Sequence, residues 1–424
     1  VTAQALTHVT IDRLGHKGEG VAMSGSGRIF IPYALPGEAV SVDREGDRGT
    51  LVGLLTPSSD RIEPICQYFT TCGGCAVQAW AFAPYSTWKR GLLLDALARA
   101  GIDADVAPLL DAHGTGRRRA TFHSRVEADG RTLVGFMKAR AHTIIAIEAC
   151  PILDPRLSGA LAATRAVAKA LATSGKPLDI VVNVTESGLD LDLRGHGPLA
   201  DAERSRLSNV AVEHGLARLA NHGEIVIECR KPVLTIGTAR VEPPPGVFQQ
   251  ATDAGEIAIA ERVVASLKGA KRVADLFAGL GTFALRLAET AEVAAYDTEG
   301  PTLAALDRAA RATPGLRRIR VETRDLFRRP LEPDELNGFE ALVLDPPRAG
   351  AEAQMRAIAA SAIERVVSVA CDAQTFSRDA AILLDKGFAV DRIEPIDQFR
   401  YSAHIEIVAT FRRPPPKRRR RLLG

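Results

Sequence analysis

The sequence predicts an α/β protein in which a doubly wound, Rossmann-like C-terminal domain follows a small β-barrel and a central α+β region. Three observations predict it. From Lys271 onward, short apolar runs alternate with glycine turns and helix-like stretches; residues 1–57 read as short strands broken by glycine; and between the two lies a stretch with three closely spaced cysteines. At 424 residues the chain is long enough for two or three domains. The divisions expected are a barrel over 1–57, a central region over 58–240, a catalytic domain over 241–412 and a basic tail over 413–424.

In the first region the strand-like runs are Val9 to Leu14, Gly18 to Met23, Arg28 to Pro32, Glu38 to Asp43 and Thr50 to Thr56. Such spacing suits a small antiparallel barrel of the kind that can grip nucleic acid. Next come the cysteines and a helix expected over Trp88 to Arg99, with Ser86-Thr87 as N-cap. An alanine-rich helix is expected over Leu157 to Leu171. The parallel strands of the last domain should be Arg272 to Leu276, Glu292 to Tyr296, Arg318 to Glu322, Ala341 to Leu344 and Arg365 to Ala370. Two antiparallel strands, Ala389 to Ile393 and His404 to Phe411, should close it. Ligands of such sheets bind beyond the carboxyl ends of the strands.

Composition narrows the function classes. Hydrophobic residues make up 46% and charged residues 25%, which excludes a disordered chain, and no run approaches a membrane span. Val1 to Thr10 lacks a basic start followed by an apolar stretch, so a cytoplasmic setting with reduced or ligating cysteines is expected. The net charge is +3, but seven basic residues, Arg412, Arg413, Lys417 and Arg418 to Arg421, fall in the last thirteen positions. The body is thus slightly acidic, and phosphate contacts must come from local patches such as Arg117-Arg118-Arg119 and from the tail. The tail reads equally as a solubilising end.

Asp275-Leu276-Phe277-Ala278-Gly279-Leu280-Gly281-Thr282 follows the first parallel strand and should open a helix, with glycines that let the backbone approach a ligand. An acid at the end of the second strand, Asp297, would bind ribose hydroxyls. The turn alone fits a nicotinamide cofactor as well as a sulfonium one. Further along the sheet, Asp345-Pro346-Pro347-Arg348 ends the fourth strand, where the prolines fix the backbone and hold Asp345 toward the cleft. Hydride transfer has no evident use for it.

Val369-Ala370-Cys371-Asp372 ends the fifth strand, so Cys371 should face the same cleft. A lone cysteine is most often a small buried hydrophobe; its place at a strand end argues for a nucleophile. Carbon 5 of uracil is a poor nucleophile, but thiolate addition at carbon 6 turns the ring into an enolate whose carbon 5 can attack a sulfonium methyl. The surplus proton on carbon 5 then needs a base. Glu406, in His404-Ile405-Glu406, is the candidate, although that triplet also reads simply as a strand with one polar face.

Cys66-x5-Cys72-Gly73-Gly74-Cys75 has the spacing of a metal site, with Cys150 in Ala149-Cys150-Pro151-Ile152 as fourth ligand. Cys229, in an apolar strand from Glu224, is expected in the core. Four thiolates suit zinc or a 4Fe-4S cluster.

Together these residues resemble the bacterial 23S ribosomal RNA uracil-5-methyltransferases that carry a TRAM domain and an iron-sulfur cluster, over nearly the whole length. The resemblance implies that residues 1–57 are the RNA-binding TRAM barrel and that Cys66, Cys72, Cys75 and Cys150 hold a 4Fe-4S cluster. It implies that S-adenosyl-L-methionine contacts Gln250 of Phe248-Gln249-Gln250, Asp275, Phe277, Gly279, Gly281, Asp297, Asp345 and, on the adenine side, Asp325. Cys371, Glu406 and Asp345 match the family's catalytic positions, and ribosomal RNA is the implied partner because the related tRNA enzymes typically lack both TRAM and cluster. A monomer is expected. Two positions depart from the family pattern: Asp372 stands where it usually has Asn, and Arg400 where it has Pro. Two other classes would use part of this pattern. A nicotinamide oxidoreductase leaves Cys371 without a role, and a non-catalytic RNA-binding iron-sulfur protein would use only the barrel, cluster and tail.

Overall fold

The computed structural model of the chain describes residues 6–25, 27–172 and 176–414. The first sheet contains β1 (Thr7–Thr10), β2 (Arg13–Leu14), β3 (Gly20–Ser24), β4 (Gly27–Ile31), β5 (Ala39–Glu45) and β6 (Arg48–Thr56), in the order β1-β5-β6-β4-β3-β2. Alternation along β4 and β5 sends Ile29, Ile31, Val40 and Val42 inward, where they meet Ile11 and Ala22. A Cβ on Gly49 would stand 2.9 Å from Ile31, so glycine there lets β6 lie over this small core.

Helix α1 (Phe82–Arg99) begins six residues before the expected Trp88. Pro84 is tolerated in its first turn, and the Thr87 hydroxyl donates to the carbonyl of Ala83 at 3.1 Å, so Thr87 sits inside the helix instead of capping it. Then come β7 (Leu110–Asp111), β8 (Arg119–Val126), β9 (Thr132–Met137), β10 (Ile144–Ala146), α2 (Ala160–Ala170), β11 (Leu178–Thr185), β12 (Gly188–Arg194), α3 (Asp201–Glu213), β13 (Arg218–Asn221) and β14 (Glu224–Glu228). Seven of these strands form a sheet in the order β10-β9-β8-β11-β12-β13-β14, with α2 and α3 packed on it. The alanine-rich helix is shorter than expected because Asp154 caps a separate 3-10 turn over Pro155–Leu157. Cys229 is exposed rather than buried: it follows β14, which is the edge of this sheet.

A short hairpin, β15 (Leu234–Ile236) and β16 (Ala239–Val241), leads to α4 (Asp253–Ser266), β17 (Arg272–Leu276), α5 (Ala284–Leu287), β18 (Glu292–Asp297), α6 (Gly300–Ala312), β19 (Ile319–Thr323), α7 (Pro333–Leu336), β20 (Ala341–Leu344), α8 (Glu352–Ala360), β21 (Arg365–Ala370), α9 (Ala373–Asp385), β22 (Ala389–Asp397) and β23 (Glu406–Arg412). The sheet order is β19-β18-β17-β20-β21-β23-β22-β7. The first five strands of that order are parallel, and β23 runs antiparallel between β21 and β22. Apolar residues cover both faces, as a buried parallel sheet requires: Ile259, Val263 and Leu306 on one, Met355, Phe376 and Leu383 on the other.

Residues 82–111, assigned by sequence to the central region, pack with this C-terminal sheet. Leu93 and Leu97 of α1 share a core with Leu342, Leu344 and Phe376, and β7 adds to the sheet edge beside β22. Lys89 on α1 is wholly buried and ion-pairs with the equally buried Asp397 at 2.6 Å; it also donates to the Phe399 carbonyl at 3.0 Å. Burial pulls the Lys89 ammonium down to about 8 against the raising influence of Asp397. The expected tail starts as structure: Arg412 pairs with Asp391, and Arg413 lies 4.2 Å over the Phe388 ring while donating to the carbonyls of Ala359 and Ser361. Lys417 and Arg418 to Arg421 lie outside the described residues. No described helix is long and apolar enough to cross a membrane.

Removing one partner of a buried pair strands the other charge, so Lys89→Met is expected to lower unfolding free energy by about 3–5 kcal/mol. Chemical denaturation followed by circular dichroism reads this directly.

Candidate active site

The register of three strands builds the site. Ala370 of β21 lies opposite Ile407 of β23, so the next residues along, Cys371 and Glu406, come together at the carboxyl edge of the sheet. Leu344 of β20 lies opposite Ser368 of β21, which brings Asp345 to the same edge. Ile396 of β22 lies opposite Glu406, so Asp397 and Gln398 follow beside it. Cys371 is half-buried, whereas Glu406 is almost fully enclosed.

Hydrogen bonds tie these groups into one array. Gln250 donates through Nε2 to Asp345 Oδ2 at 3.2 Å, and Gln398 Nε2 donates to Gln250 Oε1 at 2.7 Å and to Glu406 Oε1 at 3.1 Å. The Gln250 carbonyl is held in turn by Arg118 Nε at 3.0 Å, and Arg118 forms ion pairs with Asp253 and Glu256 of α4. Arg118 is therefore an interior clamp and not part of a phosphate-binding strip. Its neighbours Arg117 and Arg119 lie over the rings of Phe399 and Phe248, at 5.4 Å and 5.5 Å.

Crowded, buried acids hold their protons tightly. Glu406 is pushed up to about 8 by burial and by the charge of Asp345, opposed by the Gln398 hydrogen bond, Arg348 and Lys89. Burial pushes Asp345 up to about 7, opposed by the Gln250 hydrogen bond. The Cys371 thiol is pushed up to about 11 by burial, then Glu406 and Asp345, with Arg348 opposing. Arg348 also donates to the His404 ring at 3.2 Å, and burial with Arg348 holds His404 down to about 4, so that ring is neutral near neutral pH.

The glycine turn lies at the end of β17. Gly279 has a φ of 53°, a Cβ there would meet nothing, and its N–H donates to Asp297 Oδ2 at 2.9 Å. Gly281 has a φ of 84°, and any Cβ on it would drive into Leu306 at 2.3 Å. The expected helix after the turn is only the four-residue α5. Asp275 sits beneath the turn, fully buried, with no other side chain bonded to its carboxylate, and burial holds it well above the usual carboxylate range against the Ala284 backbone N–H. The open space above Gly279 fits a ligand brought close to the backbone of the turn. Phe277, at a φ of 61°, packs its ring 5.5 Å from Phe327. Asp325 accepts from the N–H groups of Phe327 and Arg328, so it also shapes this turn.

Cys66, Cys72, Cys75 and Cys150 line one cavity of about 530 Å³ together with Arg117, Gln249 and Phe399. Gln78 connects two of them, accepting from the Cys66 N–H at 3.0 Å and donating to Cys75 Sγ at 3.4 Å. Burial pushes Cys75 up to about 12, with Cys150 and Cys72 adding, and Cys150 up to about 11, with Cys66 and Cys72 adding. Among the described residues, however, no three histidine, cysteine or acidic side chains are placed to hold one metal ion.

Sequence reasoning missed Gln398, Arg348 and His404 as site residues. Gln398 lies in Asp397-Gln398-Phe399, just before the Arg400 departure from the family pattern, but its role was not assigned from sequence. The two departures from the family pattern have local causes: Asp372 caps α9 by accepting from the N–H groups of Gln374 and Thr375, and Arg400 pairs with Asp111 of β7.

Comparison with known proteins agrees with this geometry. A family profile described as tRNA (Uracil-5-)-methyltransferase matches residues 246–413. An uncharacterized RNA methyltransferase of Brucella suis biovar 1 is 45% identical, covering 97% of this chain and 99% of its own length. The 23S rRNA (uracil(1939)-C(5))-methyltransferase RlmD of Pectobacterium atrosepticum is 32% identical, covering 97% and 94%. Among solved structures, the tRNA (uracil-54, C5)-methyltransferase of Pyrococcus abyssi, in complex with S-adenosyl-L-homocysteine, superposes with a TM-score of 0.72 at 20% identity, covering 95% of this chain and 99% of that one.

The electrostatics make one outcome measurable. With its thiol so high, Cys371 should react slowly with iodoacetamide at neutral pH, the rate rising about tenfold per pH unit. Arg348→Met removes a cation that favours the thiolate, so at fixed pH the rate should fall severalfold, to a limit of about tenfold. Peptide mass spectrometry of the Cys371 fragment checks both.

Proposed function

The chain belongs to the RNA uracil-5-methyltransferase family, and from that premise we propose that it methylates carbon 5 of a uridine in 23S ribosomal RNA through a covalent adduct on Cys371. The observation that carries this reading is the meeting of Cys371 and Glu406 across the β21–β23 register, at the edge of the sheet where the glycine turn also lies. The choice of 23S RNA draws on the RlmD relative; the matched family's description names tRNA, so tRNA is the second substrate to test.

In this mechanism the target uridine leaves its stack and enters the cleft. Cys371 adds to carbon 6, which leaves an enolate whose nucleophilic end is carbon 5. S-adenosyl-L-methionine, when bound at the glycine turn, supplies the methyl group as an activated sulfonium substituent. Gln250, Asp275, Phe277, Gly279, Gly281, Asp297 and Asp325 are the residues assigned to hold it; the open space at the turn supports that assignment. Asp345, fixed by Gln250, hydrogen-bonds the edge of the base. Glu406 removes the carbon 5 proton, the carbon 5–carbon 6 double bond re-forms, and the Cys371 thiolate departs.

The remaining assignments belong to the same reading. The sheet over β1 to β6 is the RNA-binding TRAM barrel, and the cavity of Cys66, Cys72, Cys75 and Cys150 takes a 4Fe-4S cluster that ties distant stretches of chain together. Four thiols around one cavity support that assignment.

Cys371→Ala is expected to abolish methyl incorporation from labelled S-adenosyl-L-methionine into unmodified 23S RNA, and retained activity would end the covalent route. Glu406→Ala should accumulate a methylated RNA–protein cross-link that survives denaturing electrophoresis. If tRNA is labelled in place of 23S RNA, the substrate assignment changes and the chemistry stands. Anaerobically purified protein should be brown, with about four irons per chain; a colourless protein carrying one zinc would contradict the cluster.

A further inference from the structure

We propose that Gln398 is a positioning residue for the last chemical step: its side-chain amide orients Glu406 and favours the carboxylate form that takes the carbon 5 proton. The proposal rests on the reading above, in which Glu406 is that base.

The direction of every hydrogen bond around Gln398 is fixed. The backbone N–H of Thr252 can only donate, and it lies 3.3 Å from Gln398 Oε1. The carbonyl end of the amide therefore faces Thr252, and both hydrogens on Nε2 point the other way. One goes to Gln250 Oε1 and the other to Glu406 Oε1. The Gln250 amide is polarised in the same sense, since its own Nε2 is spent on Asp345. Glu406 is thus offered a donor, which favours its carboxylate over its acid form.

Gln398 has little freedom to do otherwise. It is wholly buried. On one side, Asp397 is bound by Lys89 Nζ at 2.6 Å and by the Tyr85 hydroxyl at 2.5 Å; on the other, the Phe399 carbonyl accepts from Lys89 and the Phe399 N–H donates to Asp397 Oδ1 at 3.0 Å. A residue gripped on both flanks delivers its amide to one place.

The surroundings of Glu406 make such a donor consequential. The charged and titratable groups that face it are Asp345 beyond β20, Cys371 beyond β21, Arg348 in the following loop and Lys89 on α1. Burial and Asp345 act against ionisation; Gln398, Arg348 and Lys89 act for it. In the step itself, Glu406 takes the proton from carbon 5, the C–H electron pair becomes the carbon 5–carbon 6 bond, and the carbon 6–sulfur bond breaks with its pair on Cys371. An acid form of Glu406 cannot begin this sequence, whereas addition of Cys371 and methyl transfer precede it.

The experiment separates the two halves of the reaction. RNA that accepts methyl groups from this enzyme is prepared with tritium at carbon 5 of its uridines, and methyl incorporation and tritium release are followed in a single turnover from about pH 6 to about pH 9, the range around an essential carboxylate that burial has raised. Gln398→Met, which keeps the volume, also removes the donor to Gln250 Oε1, so tritium release is read relative to methyl incorporation in the same turnover. Its tritium release should be roughly tenfold slower at neutral pH and recover at the alkaline end, the profile moving toward alkaline pH by about one pH unit. Gln398→Asn, which withdraws the amide by one methylene, should show the same displacement and serves if the first variant does not fold. A release profile that superposes on wild type, or a loss that is equal at every pH, overturns the proposal. Glu406→Gln in the same assay tells the two failures apart. If it releases tritium normally, the base assignment falls and this proposal with it; if it blocks release while the Gln398 variants leave the profile in place, only the role of Gln398 falls.

Discussion

The reversal of a single strand underlies everything else at the site. In an all-parallel sheet every strand reaches the carboxyl edge with its last residue, and the next usable side chain comes only from the loop beyond. Because β23 runs antiparallel beside β21, its first residue reaches that edge. Glu406 therefore arrives on a strand, backed by the paired Ile407, and faces Cys371 on the neighbouring strand end. A base held on a loop would have to be ordered at each turnover; one held by a sheet register is already in place.

That arrangement has an electrostatic cost. Asp275, Asp345 and Glu406 all lie buried at one edge, and each is held above its ordinary pKa by burial. Two glutamines offset part of it: Gln250 and Gln398 pass hydrogen bonds outward to Asp345 and Glu406. Glutamine is a fitting choice. It supplies donors without adding a charge that would raise the desolvation penalty further. The cations present, Arg348 and Lys89, sit where they bias Glu406 toward ionisation without pairing with it, and Arg348 does the same for Cys371.

Much of the catalytic domain was legible because its strands carry period and punctuation that local chemistry enforces. The five parallel strands fall within a residue of their expected bounds, and their ends place Asp345, Cys371 and Asp297 without further argument. What failed were features set by tertiary contact. Trp88 reads as a helix start because Ser86 and Thr87 are good caps, yet the helix packed against α9 runs on through them, with the Thr87 hydroxyl on the Ala83 carbonyl. Arg118 reads as one of three surface arginines, and only the fold brings Asp253 and Glu256 to it. Cys229 reads as internal because its strand is apolar, and nothing local says that the strand is an edge. The role of Gln398 was hidden for the same reason: its partners are 148 and 8 positions away.

The same long-range contacts make the cysteine region and the catalytic edge one mechanical unit. The N–H groups of Ala76 and Val77, the two residues after Cys75, both donate to the Tyr401 carbonyl, at 2.8 Å and 3.2 Å. Tyr401 holds a φ of 66°, a conformation that a tyrosine adopts only when its surroundings impose it. The Tyr85 hydroxyl accepts from the Tyr401 N–H and donates to Asp397, and Arg117 spans from the cysteine cavity to the Phe399 ring. The turn from Asp397 to His404, which carries Gln398 on one arm and leads to Glu406 on the other, is thus clamped by α1 and the cysteine loop rather than by its own sheet. Only the short backbone run from Tyr401 to Glu406 separates these contacts from the proposed base, so the region that looks most remote from it in sequence is adjacent to it in structure.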